Sequence, residues 1–285
     1  MTKTNKTAAA LFLLLTVLSC MPLFAKGSSK DSKNNSGFYI WGKKEVFALD
    51  PVTDGILLGT GLTLTKTELL LDKVFKVNRQ KYNGARFNKA DVPGFERPFM
   101  NQYSLVLDYT GDFLMFTAMV TPTVLFATEK SEWLTCAAMY AETVLIANGI
   151  TELAKIGINR TRPFMYFDED TYPDKDVKSG DWAKSMPSRH STMAFAGAAF
   201  TTYTFCKYFP DSNWRIPVVA GSYSLALLTA AFRVASGNHF ITDTLTGAAI
   251  GTAVGFLVPW LHTFNTTHDV NVSLQADGFA VAVKF

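Results

Sequence analysis

The segment PSRHSTMAFAGAAF, residues 187–200, joins a turn-rich stretch to an apolar helix. Ser188 is placed to cap this helix, because a serine hydroxyl before the first turn accepts a hydrogen bond from a free backbone N–H group. The first N–H groups of a helix have no partner within it and bind phosphate or another anion readily. His190 lies in the first turn. Taken alone, the segment predicts either an anion site beside an ionisable side chain or a capped helix whose histidine faces solvent.

Further apolar helical stretches lie on both sides of this segment. Asp50 and Pro51 have the residue types of an N-cap and a first helical position. The final stretch alternates apolar and polar residues around Asp277-Gly278, which is typical of a β-hairpin. The sequence therefore predicts an all-α fold: a six-helix bundle with the active site at one end, plus a short C-terminal β-hairpin. Besides the helix that Asp50 caps, the predicted helices are at about 105–127, 131–157, 190–209, 215–233 and 240–263.

The N-terminus has two lysines, an apolar run and then small residues, which is the order of a secretory signal. Cleavage after Ala25 and lipid attachment at Cys20 are the two alternatives. Either one places the mature protein outside the cytoplasm. The predicted organisation is a signal peptide at 1–25, a flexible linker at 26–40, an N-terminal helix and long polar loop at 41–104, a core helical bundle at 105–263 and a β tail at 264–285.

Composition excludes several classes of function. The chain has 285 residues, 48% of them hydrophobic, which is ample for a buried core. Its formal net charge is only +3, so nucleic acid is not expected as a partner. The acidic segment YFDEDTYPDKD lacks the spacing of an EF-hand loop, so it does not indicate calcium. No metal or other cofactor is expected, because lysine and arginine side chains can supply the positive charge that a metal would provide.

Two further clusters carry ionisable residues at the ends of predicted helices. Lys155 and Arg162 are seven residues apart, close to two helical turns, so they are expected on one face. In RVASGNHFITD, Arg233 ends one predicted helix and His239 opens the next. Asp243 follows four residues later, within hydrogen-bonding reach of the imidazole on a helix. A carboxylate there would fix the histidine tautomer and raise its basicity.

The predicted topology brings the clusters together. In an up-down bundle the end of the third helix, the start of the fourth, the end of the fifth and the start of the sixth lie on the same side. Three cations, two histidines, a helix N-terminus and an orienting carboxylate therefore meet at one place. A basic pair at a helix end is by itself usually a solvated or dipole-complementing feature, but the joint arrangement indicates an anion-processing site.

The three clusters, in this order, resemble the signature of the type 2 phosphatidic acid phosphatase superfamily, K-x6-RP, PSGH and SR-x5-H-x3-D. The resemblance covers roughly residues 105–263. Two positions depart from it, since Arg189 replaces the glycine of PSGH and Phe232 replaces the serine before the arginine. The residues that match are Lys155, Arg162, Pro163, Pro187, Ser188, His190, Arg233, His239 and Asp243.

The resemblance implies a metal-independent phosphatase that acts through a phosphohistidine. Its rate is expected to have a bell-shaped pH profile, because one histidine must be neutral and the other protonated. His239 is then the nucleophile, Asp243 orients it, and His190 protonates the leaving oxygen. The residues expected to bind the phosphate are Lys155, Arg162, Ser188, Arg189 and Arg233, although Arg189 is equally compatible with pointing away. The open alternatives are a small-molecule acid phosphatase, a vanadium-dependent haloperoxidase and a non-catalytic anion-binding protein.

The expected substrate is a lipid phosphate or diphosphate, such as phosphatidic acid, phosphatidylglycerol phosphate, polyprenyl diphosphate or a lipopolysaccharide-anchor phosphate. Four acids interrupt the apolar stretches: Asp108, Asp112, Glu142 and Glu152. Each would cost about 2.5–3.5 kcal/mol at mid-bilayer if unpaired. The sequence therefore favours an extracytoplasmic enzyme attached to a membrane surface, with a multi-span protein as the alternative.

Overall fold

The computed structural model describes residues 46–267, 269–275 and 278–284, with side chains up to residue 263. The predicted signal peptide, with Cys20 and Ala25, and the predicted linker lie outside the described residues, and the region 41–104 is described from residue 46. The described part contains seven α-helices rather than six. They are α1 (Pro51–Leu69), α2 (Leu105–Met119), α3 (Trp133–Ile158), α4 (Asp174–Ser179), α5 (Arg189–Tyr208), α6 (Arg215–Ala235) and α7 (Ile241–Thr267).

The additional helix, α4, has six residues, begins at the end of the acidic segment and ends before Pro187. The other six helices lie where the hydrophobic pattern predicts them. Asp50 caps α1 as expected, since Oδ2 accepts from the N–H groups of Val52 (3.1 Å) and Thr53 (2.8 Å). α1 runs on into a π-helical turn, Leu70–Val74. Short 3-10 turns lie at Lys89–Asp91, Arg97–Phe99, Thr121–Ala127, Lys130–Glu132, Pro163–Tyr166, Glu169–Thr171 and Asp181–Ala183.

Two strands follow α7, β1 (Asp269–Gln275) and β2 (Gly278–Lys284). They pair in antiparallel register from Asp269 opposite Lys284 to Gln275 opposite Gly278. This is the segment in which apolar and polar residues alternate.

Close contact between α5 and α7 sets the position of the two helix N-termini. Three glycines spaced by four residues on α7 lie against the α5 backbone, where a methyl group would approach a carbonyl oxygen to 2.1–2.5 Å. Gly247 faces Ser188, and Gly255 faces Ala196, so the two helices run parallel. Any larger side chain would force them apart. The N-termini of α5 and α7 therefore lie side by side at one end of the bundle.

Four helical segments are long and apolar enough to cross a membrane, namely Leu105–Ala127, Lys130–Tyr166, Arg215–Ala235 and Ile241–Thr263. Only 22–44% of each apolar window is buried inside the protein. Large apolar side chains such as Val106, Phe113 and Ile216 are exposed. Contiguous exposed apolar surface of this kind marks contact with lipid or a partner. By length and composition, these helices support a membrane protein.

The sequence argument for surface attachment depends on four acids being unpaired, and three of them are paired in the structure. Asp108 pairs with Arg233. Asp112 Oδ1 lies 2.7 Å from His190 Nε2, and Glu152 Oε1 lies 2.8 Å from Lys155 Nζ. Glu142 Oε2 lies 3.4 Å from His262 Nε2. Paired acids inside a helical bundle are compatible with spanning, so this argument against a multi-span protein does not apply to Asp108, Asp112 and Glu152.

Candidate active site

His239 lies just before α7 with its imidazole buried. Its Nδ1 is 2.7 Å from the carbonyl oxygen of Ser185. A carbonyl oxygen only accepts, so Nδ1 carries the proton, and Nε2 of the neutral ring has the free lone pair. Burial, opposed by Asp243 and reinforced by Arg162 and Arg233, lowers the His239 pKa to about 3. The ring is therefore neutral near pH 7, as a nucleophile must be.

Asp243 does not form the hydrogen bond to His239 that the spacing predicts. Its Oδ2 is 3.8 Å from His239 Nδ1. The same oxygen accepts instead from Ser185 Oγ (2.5 Å) and from the backbone N–H of Phe240 (2.8 Å). The physical reason is that α7 begins two residues after His239, so the helical i, i+4 geometry does not apply to this pair. Asp243 and the imidazole are linked only indirectly, because both contact Ser185.

Arg160 is a site residue that the sequence analysis missed. Its guanidinium lies 2.5 Å from Asp243 Oδ1 and 2.5 Å from Glu96 Oε2. It also donates to Thr242 Oγ1 at 2.6 Å and lies 4.1 Å from the centre of the Phe240 ring. Glu96 is almost fully buried, although it comes from the predicted polar loop. A buried carboxylate requires a partner, and this arginine holds two of them.

Ser188 is the N-cap of α5, as predicted, and its Oγ accepts from the Ser191 N–H at 3.4 Å. Arg189 is the first residue of α5, and its backbone does not adopt a positive φ. The substitution for glycine therefore causes no strain there. Its side chain is half exposed, with Nε 3.8 Å from Glu152 Oε1. The structure places Arg189 at the rim of the site.

His190 extends from the first turn of α5 towards α2, where its Nε2 lies 2.7 Å from Asp112 Oδ1. Burial is the main reason that the His190 pKa lies well below its usual range, and the positive charges of Arg233 and Arg189 lower it further. Asp108 opposes them. Without a bound anion the ring is neutral at pH 7. A phosphate beside the two arginines would offset their charge and raise the His190 pKa.

Lys155 and Arg162 do not share a helical face, which corrects the prediction from their spacing. α3 ends at Ile158, and Asn159 adopts the left-handed conformation with φ 55°. Arg162 then lies in extended backbone before Pro163, as expected for a residue that precedes proline. Lys155 remains on the helix with its Nζ paired to Glu152.

Two buried arginines connect the motifs. Arg162 donates to Asp181 Oδ2 (2.6 Å) and to Asn238 Oδ1 (3.0 Å). Asn238 in turn donates to Asp108 Oδ1 at 3.2 Å, and Asp108 pairs with Arg233. Arg233 Nε is buried and has no hydrogen-bond partner among the described residues, and the same holds for Ser191 Oγ. These atoms are donors still available to an anion.

The contacts join all three motifs, so the predicted site residues lie at one end of the bundle. However, the cations are not free charges, because each is paired with a carboxylate that the sequence analysis did not place in the site. A buried arginine without such a partner would be strongly destabilising. One signal of these acids was present in the sequence: Asp108 and Asp112 are four residues apart on an otherwise apolar helix and hence on one face.

The PAP2 superfamily model matches residues 137–267. A lipid A 1-phosphatase of Porphyromonas gingivalis is 32% identical over 116 residues, which are 41% of this chain and 21% of that protein. A PA-phosphatase related-family protein of Dictyostelium discoideum is 27% identical over 130 residues, 44% of this chain and 47% of that protein. The chain thus spans less than half the length of these two relatives.

Among solved structures, a transmembrane PAP2 type phosphatidylglycerolphosphate phosphatase from Bacillus subtilis is similar, with a TM-score of 0.40 and 20% identity over 74% of this chain and 94% of that chain. The family match begins within α3 and ends with α7. It therefore contains all three motifs, whereas α1, α2 and the loop between them precede it. The region that is similar to the PAP2 superfamily is thus residues 137–267, a little under half of the chain.

Proposed function

We propose that this protein is a metal-independent phosphatase that hydrolyses a lipid phosphate through a phosphohistidine on His239. The observation that carries the proposal is the hydrogen bond from His239 Nδ1 to the Ser185 carbonyl oxygen. It leaves Nε2 as the lone-pair atom of a ring that burial keeps neutral. A neutral imidazole of fixed tautomer, beside three buried cations, is suited to attack a phosphorus atom.

In the first step, His239 Nε2 attacks phosphorus in line with the departing oxygen. The P–O bond to the alcohol breaks, and His190 donates its proton to the leaving alkoxide. The carboxylate of Asp112, 2.7 Å from His190 Nε2, stabilises the protonated form of His190. Substrate binding therefore supplies part of the charge that makes His190 an acid.

In the second step, neutral His190 accepts a proton from water while the water oxygen attacks phosphorus. The P–N bond to His239 Nε2 breaks, which restores the neutral imidazole and releases inorganic phosphate. Lys155, Arg162 and Arg233 hold the non-bridging oxygens, together with the free N–H groups at the start of α5. The Ser188 hydroxyl accepts the capping bond and has its own proton left to donate. Removing one such preorganised donor typically costs about 2.7–4 kcal/mol of transition-state stabilisation.

We propose a lipid substrate because the site belongs to helices that are apolar enough for a bilayer. The first choice is the phosphate of a lipopolysaccharide anchor, since the Porphyromonas gingivalis relative is a lipid A 1-phosphatase. The multi-span arrangement replaces surface attachment in this proposal. The site faces the extracytoplasmic side, in keeping with the signal-like N-terminus.

The test is phosphate release by the full chain in detergent. The panel comprises lipid A, phosphatidic acid, phosphatidylglycerol phosphate, a polyprenyl diphosphate and p-nitrophenyl phosphate. We expect one lipid to be preferred, no increase on adding Mg²⁺ or Ca²⁺, and loss of release in both His239→Ala and His190→Ala. Folded wild-type protein that releases phosphate from none of these substrates would refute the proposal. Preference for p-nitrophenyl phosphate would refute the lipid specificity alone.

A further inference from the structure

A second cluster of ionisable side chains lies away from the phosphate site, where α1, α3 and α7 meet. His262 Nε2 is 3.2 Å from Asp54 Oδ1 and 3.4 Å from Glu142 Oε2. One ligand atom from each residue lies within 4.8 Å of the other two. Glu142 precedes Lys155 by thirteen residues on α3, or about 20 Å at 1.5 Å per residue. The family signature includes none of the three residues.

The tautomer of His262 makes this cluster unusual. Its Nδ1 is 2.8 Å from the carbonyl oxygen of Val258, which only accepts, so Nδ1 carries a proton. The neutral ring therefore presents the lone pair of Nε2 to the carboxylate oxygens of Asp54 and Glu142. Three lone-pair-bearing atoms facing one another require a proton or a cation between them.

Glu142 provides the second observation. Its side chain is fully buried, and neither carboxylate oxygen has a hydrogen-bond partner in the part of the chain that the structure describes. Within that part, no lysine or arginine forms an ion pair with Glu142 or Asp54. The other oxygen of Asp54 accepts from the Asp50 N–H at 2.6 Å, which leaves Oδ1 directed at His262. Two carboxylates without a counterion are costly among apolar helices.

We propose that Asp54, Glu142 and His262 bind a structural divalent transition-metal ion, with Zn²⁺ as the best match. Zinc accepts imidazole nitrogen and carboxylate oxygen ligands at about 2.0–2.2 Å in tetrahedral geometry. Two ligands at such distances around a tetrahedral ion are about 3.4 Å apart, close to the separations of the His262 contacts. Ca²⁺ and Mg²⁺ prefer oxygen ligands only. The bond from Nδ1 to Val258 is the usual orienting contact of a ligating histidine.

The ion would tie α1 to α3 and α7. α1 precedes the region that the PAP2 superfamily model matches, so this cluster attaches an additional element to the family domain. Two carboxylates and a divalent cation together are neutral, which suits helices of this apolarity. The ion is too distant from His239 to act on phosphate, so its role is stability.

The test uses the full chain in detergent, stripped with a chelator and then titrated with ZnCl₂. Elemental analysis after gel filtration is expected to give one zinc per wild-type chain, and zinc is expected to raise the thermal midpoint. Glu142→Gln and His262→Gln should lose both effects. The matched control is Glu132→Gln, since Glu132 is also a buried acid but accepts from the Tyr208 hydroxyl at 2.7 Å; it should keep the zinc.

The wild-type titration decides the matter even if a variant fails to fold. Stripped, folded wild-type protein that binds no zinc at about 0.1 mM, which is far above the dissociation constants of structural zinc sites, would overturn the proposal. The cluster would then be a network that shares a proton. Equal loss of zinc in Glu132→Gln and Glu142→Gln would also overturn it. Phosphate release from wild-type protein is independent of either result, so the failure of this proposal is distinguishable from that of the proposed function.

Discussion

Two groups of residues build the proposed phosphate site, and they come from different parts of the chain. The histidines and cations of the three motifs lie within the matched region 137–267. Three of the acids that hold them come from before it: Glu96 from the loop that follows α1, and Asp108 and Asp112 from α2. The residues of the proposed chemistry thus lie in the matched region, and several of the acids that position them lie in the preceding segment.

The acids from the preceding segment explain how a buried cationic site stays folded when no substrate is bound. Arg162 and Arg233 are almost fully buried, and an unpaired charge there would be destabilising by several kcal/mol. Acids supplied from outside the motifs compensate this charge. They also leave donors for the anion, of which Arg233 Nε is one. Substitutions in the two groups should consequently have different effects on rate and stability.

The largest effect is expected for a residue of the first group. His239→Ala removes the nucleophile and should lower kcat by about 10⁴-fold or more, as for other covalent catalysts. The kcat is measured as phosphate release in samples quenched at fixed times. Glu132→Gln serves as a control for the change of a buried polar side chain outside the site, and it should retain the chemical step. Comparable loss of kcat per folded molecule in the two variants would contradict the assignment.

A smaller effect is expected for Asp108→Asn in the second group. Asp108 pairs with Arg233 and accepts from the Tyr103 hydroxyl at 2.9 Å. Its neutralisation leaves a buried guanidinium uncompensated, which should destabilise the free protein by about 3–5 kcal/mol. Because phosphate can replace the lost charge, inorganic phosphate should raise the thermal midpoint more in the variant than in wild type. An equal rise of the thermal midpoint in the variant and in wild type would contradict the proposal that Asp108 compensates the charge of Arg233.

Asp112→Asn should act through pH. Burial, Arg233 and Arg189 already lower the His190 pKa, and removal of the Asp112 charge lowers it further. The protonated fraction of His190 in the complex then falls at a given pH. The basic limb of the kcat profile should move to lower pH, and kcat at pH 7 should fall about tenfold if the His190 pKa falls by about one. A uniform drop of kcat without displacement of the limb would indicate a merely structural role.

The smallest effect is expected for Arg189→Ala. The side chain is half exposed, and its Nε lies 3.8 Å from Glu152 Oε1, a long distance for an ion pair. An exposed pair of this kind contributes about 0–1 kcal/mol to stability. We expect kcat/KM to change less than about fivefold, since the backbone N–H at this position is retained. A loss of about 10³ would show that Arg189 binds the phosphate directly and belongs to the first group.

The three motifs can be predicted from the sequence because each has ionisable side chains at a helix end. Helix ends are marked by local features such as the Ser188 cap. The partner of His239 was not readable, because the Ser185 carbonyl reaches Nδ1 only through tertiary folding. In the sequence, only Pro163 indicates that α3 ends before Arg162. The seven-residue spacing from Lys155 instead favours a continuous helix, and that prediction is wrong. The glycines of α7, which are spaced by four residues, are a local signal in the sequence, and this spacing predicts close contact with another helix.

The most direct test of the central claim is to trap the phosphoenzyme. The protein is mixed with radiolabelled p-nitrophenyl phosphate and quenched in alkali, where a phosphohistidine survives. A nitrophenolate leaving group needs no acid, so His190→Ala should accumulate the labelled enzyme because it lacks the base for hydrolysis. The account predicts label on His239 in His190→Ala and none in His239→Ala. Label that persists in His239→Ala, or turnover without any labelled enzyme, would contradict it.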